Sequence, residues 1–385
     1  MSAGDFRVDV YTPAGVLQGQ LTGGLGRASS AALSGFQQLT YTKRVNDVGL
    51  CRFRVPADHT IVNLLSDKSI IEVYRRNVDL GIDWTLDWSG VYRDAIFERR
   101  DVATFDAICY SNEHLMQWRP IEYAAGTNNR NDFASVKGET VLKNIVTYNM
   151  TSSGTTGDGR KQNATNAGTV NYSTITVQAD SASGNTISVG VFGMSVLEAC
   201  KKVARVAGGD FGLVRTSAAT YQFRWYLGQL GTDRSSGSAK VEFNPDKGNM
   251  AESRYQVTRS TEYTQVGVWG AADGVLRDWV SRTGTNYNAA TNDIRGYVDA
   301  RELSLGNTTG LNAKGDVALD QMRSKTLMTF RPVQTPSTAY GLHYFLGDKV
   351  LSYDYGVSTT HRIQAVTVTT SADTAEDISL ELLAV

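Results

Sequence analysis

Residues 50–55, LCRFRV, alternate without a break: Cys51, Phe53 and Val55 share one face and Arg52 and Arg54 the other. A period of two marks a strand with one buried face and one wet face. Pro56 ends it, because proline lacks the N–H that a central ladder needs. Residues 59–65 then read as one or two helical turns and residues 69–75 as a returning strand. Residues 85–90 read as a turn into Val91, and residues 95–99 and 102–109 as the arms of a hairpin. Strands at this spacing with Gly or Asp turns point to a small barrel or sandwich over residues 1–111.

The composition agrees. Thr, Val and Tyr, which pack well on a pleated surface, recur throughout. The 37 glycines supply turns, while only 6 prolines interrupt the ladders. A chain of 385 residues has room for two to four units.

The texture changes over residues 112–252, which read as a mixed α/β domain with long polar loops. Leu115, Met116 and Trp118 belong to a short helix that Pro120 closes. Val141, Leu142, Ile145 and Val146 recur at helical spacing, which predicts an amphipathic helix over 137–148. Residues 151–169 are too polar to offset their own ordering entropy. Ser195 and Glu198 form a capping box ahead of the apolar stripe Val196, Leu197, Cys200, Val203, Ala204 and Ala207. Gly208 and Gly209 stop that helix. Residues 211–214 and 221–226 read as strands, and 232–238 as a loop.

Residues 253–385 return to strands, at 263–269, 294–303, 349–353, 361–369 and 378–383. A third helix is expected over 316–325 with Ala318, Leu319 and Met322 turned inward. The fold class that emerges is mainly β, with an α+β middle part. Its expected domains are 1–111, 112–252 and 253–385, the last interleaved with the middle one.

Thirty-eight Lys and Arg balance 39 Asp and Glu, so no global attraction to nucleic acid or anionic membrane follows. Small clusters such as Arg75–Arg76 and Arg99–Arg100 read as solvated strand ends. Cys51, Cys109 and Cys200 are far apart and lack a CxxC pattern; Cys51 and Cys109 read as small core residues, which fits folding in a reducing cytoplasm. No apolar run is long enough for a transmembrane helix, and the N-terminus lacks the basic and apolar blocks of a signal peptide.

No catalytic, cofactor-binding or metal-binding residues are expected. His59, His114, His343 and His361 form no close pair, and zinc needs three or four converging ligands. Asp79, Asp83 and Asp87 have the wrong spacing for a calcium loop. There is no G-x-S-x-G elbow; Ser195 reads as a cap, and Cys200 sits on an apolar stripe without a nearby histidine. Glu252, Glu262, Asp299 and Glu302 are the carboxylates a glycosidase reading would need, but Asp299 and Glu302 lie beside Arg295 and Arg301 and read as an ion-pair network. The runs Gly23–Gly26 and Gly154–Gly159 lack the Lys-Ser/Thr ending of a phosphate loop. Arg224, Trp225 and Tyr226, and Tyr74, Arg75 and Arg76, interleave cations with aromatics. That mixture serves interface anchors, isolated surface residues or single-stranded nucleic acid, and the near-neutral charge favours the interface.

Four segments carry a family resemblance. Residues 49–75, GLCRFRVPADHTIVNLLSDKSIIEVYR, give a strand, then Pro56 and His59, a short apolar helix and a second strand. In HLMQWRPI the relevant residues are Leu115, Arg119, Pro120 and Ile121. RGYVDAREL matches an Arg-Glu-aromatic-Asp-Ala-Arg pattern, with Arg295 and Gly296 in place of Arg-Glu. In YFLGDKV, Leu346, Gly347, Asp348 and Val350 match Leu-Gly-Asp-x-Val. In this order they resemble the baseplate hub, or tail-tip, proteins of long-tailed phages, which are related to the hubs of contractile tails.

The resemblance covers most of the chain. It implies a structural virion protein, not an enzyme, with two small tube-like β-barrel domains and a mixed helical and strand domain. It further implies a homotrimeric ring with no cofactor, closing or extending the distal end of the tail tube during host cell entry. Implied neighbours are a distal tail or tail tube protein on one side and tip, spike or fibre proteins on the other, with contact to the tape measure protein. No sequence-specific nucleic acid binding is implied. The chain would be made in the host cytoplasm, and ending at Val385 it would carry no fused lysin. Two alternatives stay open: a cell-wall-degrading tail enzyme, and a carbohydrate-binding tail adhesin whose Trp and Tyr residues line an exposed groove.

Overall fold

A computed structural model describes residues 4–23, 35–99, 101–121, 132–151, 169–170, 173–301 and 303–385. The chain forms two compact units, one from residues 1–253 with 329–383 and one from residues 254–328. The first unit opens with β1 Asp5–Tyr11, β2 Leu17–Gly23, β3 Gln38–Arg44, β4 Leu50–Pro56, β5 Ile70–Asn77, β6 Ile82–Arg99 and β7 Ala103–Ser111. Next come β8 Asp132–Lys137, α1 Gly138–Met150, β9 Thr169–Val170, β10 Ser173–Val177, β11 Thr186–Gly190, α2 Val196–Ala207, β12 Gly209–Ser217, β13 Thr220–Leu227, β14 Glu242–Phe243 and β15 Met250–Thr258. The second unit contains β16 Gln265–Trp269, β17 Trp279–Thr283, β18 Arg295–Asp299 and α3 Thr308–Gln321. The chain returns along β19 Lys325–Pro332 and ends with β20 Lys349–Asp354, β21 Val357–Ser371 and β22 Asp377–Ala384.

The protein is mainly β. In the first unit one 11-stranded sheet runs β14-β20-β21-β3-β4-β7-β6-β5-β1-β2, with β22 also paired to β21. Strands from opposite ends of the sequence therefore lie side by side: β21 pairs antiparallel with β3, Val368 opposite Tyr41. The alternation in β4 does what its pattern requires. Cys51, Phe53 and Val55 are buried, and they face Cys109, Ala107 and Phe105 of β7. Both cysteines are free, and burial pushes their thiols well up.

The segment expected to turn at 85–90 lies instead inside β6, an 18-residue strand. It stays continuous because it is paired along its length, with β5 at its start and with β7 at its end; register shifts at Val73/Tyr74 and Tyr92/Asp94 absorb the bend. The helical turns expected at 59–65 and the short helix expected around Leu115, Met116 and Trp118 are 3₁₀ helices, Thr60–Leu64 and Asn112–Trp118.

The helices of the first unit share a core with β10, β12 and β13. Val141, Leu142, Ile145 and Val146 of α1 meet Val196, Cys200 and Val203 of α2, and Phe211, Phe223 and Trp225 belong to the same cluster. The capping box of α2 is complete: Ser195 Oγ accepts from Glu198 N at 3.2 Å, and Ser195 N donates to Glu198 Oε2 at 2.9 Å. Gly208 ends the helix in the left-handed region at φ 74°. Most of residues 151–169 lie outside the described residues, and only β9 at their end and Thr151 at their start are seen.

In the second unit β16 lies between β17 and β18, antiparallel to the first and parallel to the second. Val266 and Val268 pack with Leu311 and Leu319 of α3, with Val280 and Val298 beside them. This helix corrects the expected one. It spans 308–321, its buried residues are Leu311, Gly315 and Leu319, and Met322 is 39% exposed beyond its end. Asn307 sets the start by accepting from Gly310 N at 2.9 Å.

Candidate assembly surface

The polar residues singled out in the sequence are mostly committed to local structure. His59 Nδ1 accepts from Ile61 N at 3.1 Å and caps a 3₁₀ helix. His114 stacks on Tyr110 and accepts from Trp118 Nε1 at 3.1 Å, while His343 Nδ1 accepts from Ala339 N at 3.0 Å. His361 is buried against Ser352 Oγ at 2.7 Å, and burial lowers its pKa to about 4. Cys200 lies in the helical core. Asp83 accepts from Trp84 N, whereas Asp87 gathers Tyr41, Lys43 and Tyr340.

Glu252 meets Arg331 at 3.4 Å, and Glu262 accepts from Asn286. Asp299 pairs with Arg301 at 2.7 Å; hydrogen bonds from Arg301 hold its carboxyl down at about 2. Arg295 pairs with Asp293, so the expected network resolves into separate i, i+2 pairs, while Glu302 lies outside the described residues. Among the described residues no group of three or more His, Cys, Asp or Glu could hold a metal ion.

Two cationic-aromatic clusters fall elsewhere than expected. Arg75 is not a solvated strand end: it is 1% exposed and paired with Glu376. Arg100 lies outside the described residues. Trp225 is core, and its Nε1 donates to Ser183 Oγ at 3.0 Å. Among the large exposed aromatics, Trp269, Trp279 and Tyr297 lie together on the second unit.

Over β21, β3, β4 and β7 the long sheet presents a largely polar outer face. Thr42 and Thr367 hydroxyls meet at 2.8 Å, and Thr40 donates to Thr369 at 3.3 Å. Alongside, Arg52 and Arg54 both converge on Asp106, at 2.7 and 2.9 Å between Nη2 and Oδ2. Burial raises the Asp106 carboxyl, but the hydrogen bonds and charges of Arg54 and Arg52 outweigh it, leaving its pKa below the ordinary value. Gln38, Thr40, Thr42, Leu50, Arg52, Arg54 and Asp106 line one shallow trough on this face. Alternate residues of the same strands, Leu39, Tyr41, Phe53, Ala107 and Val368, are buried. The result is a wall with a dry side and a wet side.

Behind the wall a part-buried polar network ties distant segments together. Asp87 accepts from Tyr41 Oη at 2.6 Å, Lys43 Nζ at 2.8 Å and Tyr340 Oη at 2.8 Å. Burial alone would lower the Lys43 ammonium, and Asp87 outweighs it and holds the charge. Arg75 Nη1 donates to the Tyr340 carbonyl at 2.9 Å. Such a network is favourable only when its members are satisfied, so it fixes one arrangement of the strands it joins.

The fold recurs in phage tail proteins. The 43 kDa tail protein of prophage MuSo2 from Shewanella oneidensis superposes with a TM-score of 0.59 at 11% identity, with 98% of each chain covered. A tail protein from Neisseria meningitidis MC58 gives 0.57 at 10%, covering 99% of this chain and 96% of that one. A chain of the Francisella PdpA-VgrG complex gives 0.56 at 10%, covering all of this chain and 58% of its own length. No curated protein matches the sequence. The profile of one family spans residues 28–382, nearly the whole sequence. The chain belongs to the family of Siphovirus ReqiPepy6 Gp37-like proteins.

Proposed function

We propose that this protein is a baseplate hub, three copies of which close a ring that continues the tail tube at its distal end. The observation that carries this reading is the 11-stranded sheet, in which strands from residues 1–111 and strands after Lys349 lie side by side, its β21-β3-β4-β7 section dry on one side and largely polar on the other. In the ring the polar side, with Arg52, Arg54 and Asp106, faces the channel. Two tube-like segments per chain, one on residues 1–111 and one within 253–385, let three copies offer six near-equivalent wall sections to a sixfold tube. A closed ring satisfies repeated contacts without open-ended growth. It also covers the sheet edges at β2 and β14, which would otherwise invite unwanted pairing.

The shared fold of the tail proteins supports the same reading. A distal tail or tube protein docks on one rim, and tip, spike or fibre proteins on the other. Native mass spectrometry of the purified chain, alone and with the neighbouring tail protein, tests the stoichiometry. A species of three times the 41.9 kDa chain mass is expected. Monomers under both conditions contradict the ring.

A further inference from the structure

The second unit turns one face of its small sheet onto α3 and leaves the other open. In register, Trp269 of β16 lies opposite Trp279 of β17 and opposite Asp299 of β18, while Gly267 lies opposite Ser281 and Tyr297. These residues occupy the face away from Val266, Val268, Val280 and Val298. Trp269 is 45% exposed, Trp279 64% and Tyr297 74%. The Trp269 and Tyr297 ring centroids are 5.9 Å apart at a shallow 38°. Gly267 is what lets the indole lie along the sheet: a Cβ there would come within 3.2 Å of Trp269 Nε1. Trp269, Gly274, Arg277 and Trp279 border an open depression beside it.

The charges around this platform are already paired within the chain. Arg277, stacked 5.5 Å from the Trp269 ring, pairs with Asp273. Arg301 pairs with Asp299, and Arg295 with Asp293, each at 2.7 Å. The surface is thus electrically balanced, yet dense in fixed donors and acceptors next to flat aromatic faces. The paired charges flank the rings and leave their faces uncovered. An uncharged ligand with flat C–H faces and hydroxyl edges matches both properties.

From this geometry we propose that the Trp269–Trp279–Tyr297 face binds a neutral, extended glycan of β-linked pyranoses. Sugar C–H faces stack on the rings, and equatorial hydroxyls meet the Asp–Arg pairs. This site is independent of the ring reading, and each can fail without the other. The exposed Val275 and Leu276 beside it are the feature a protein partner would use, so the test includes that outcome.

The experiment titrates the full-length chain with cellohexaose, chitohexaose and maltohexaose, followed by tryptophan fluorescence and calorimetry. Binding of a β-linked hexasaccharide is expected, with the helical α-linked maltohexaose weaker. Trp269→Ala and Trp279→Ala should each weaken binding roughly tenfold, the scale of one lost aromatic contact. Gly267→Val should weaken it while keeping every ring, and Trp84→Ala in the first unit should leave it unchanged. If Trp269→Ala fails to fold, the more exposed Trp279→Ala carries the test, with melting curves as the control. No binding to any of the three sugars by the folded wild type overturns the proposal, as does binding that the three face variants do not change. Self-association abolished by Val275→Ser with Leu276→Ser, in a protein that binds no sugar, assigns the face to chain–chain contact and overturns it as well.

Discussion

Arg75 and Glu376, 301 positions apart, form a two-bond fork, Nε to Oε2 and Nη2 to Oε1 each at 2.6 Å, with both side chains 1% exposed. The fork joins β5, deep in the N-terminal half of the long sheet, to the segment leading into β22. Breaking one partner of a buried pair strands the other charge, which costs about 3–5 kcal/mol. Glu376→Ala should lose that much in denaturant unfolding. Arg75→Met combined with Glu376→Leu should lose far less, because no charge is left unpaired. Equal losses for the single and double variants would show that packing, not charge, fixes this junction.

Acid should weaken the fold in two stages. His361 titrates near 4 in the folded chain, because it is buried, against 6.5 for an ordinary histidine. At neutral pH both states are uncharged there. As pH falls below 6.5 the unfolded chain takes up a proton that the folded chain refuses, so stability drops until about pH 4, by roughly 3 kcal/mol. Glu139 follows. Burial raises its carboxyl, but hydrogen bonds from Lys143, Ser183 and Ser181 outweigh this and hold it at about 2 against 4.5. Its contribution is present above 4.5 and is lost as pH falls towards 2. Denaturant midpoints measured against pH should show the first stage, and His361→Asn should flatten it.

Close helix packing should be sensitive at one glycine. A Cβ on Gly138, at the start of α1, would lie 2.3 Å from Ala207 Cβ, at the end of α2. Gly138→Val should cost about 1–3 kcal/mol, as overpacking does. A melting temperature equal to that of the wild type would mean the two helices separate freely.

Local patterns in the sequence were legible, and distant partnerships were not. The strict alternation of β4, the apolar stripe of α1 and the capping box of α2 each encode their element within a few residues, and each is found where its pattern places it. The third helix was misplaced because Gly310 and Gly315 dilute its stripe; its true start is set by the Asn307 cap. Arg75 read as a surface residue because its partner Glu376 is encoded 301 positions later. Trp225 read as an interface anchor because nothing local announces that Ser183 will satisfy its N–H inside a core. The aromatic face at Trp269, Trp279 and Tyr297 was hidden for the same reason: alternation identifies the strands, while α3 decides which face is covered.

Cryo-electron microscopy of virions carrying this chain with a small C-terminal epitope, labelled by antibody fragment, tests the account most directly. Label confined to the distal end of the tail is expected, in a density holding three copies whose Arg52, Arg54 and Asp106 line the channel. Label spread along the tail, or a lone copy with that polar face pressed against another protein, would contradict it.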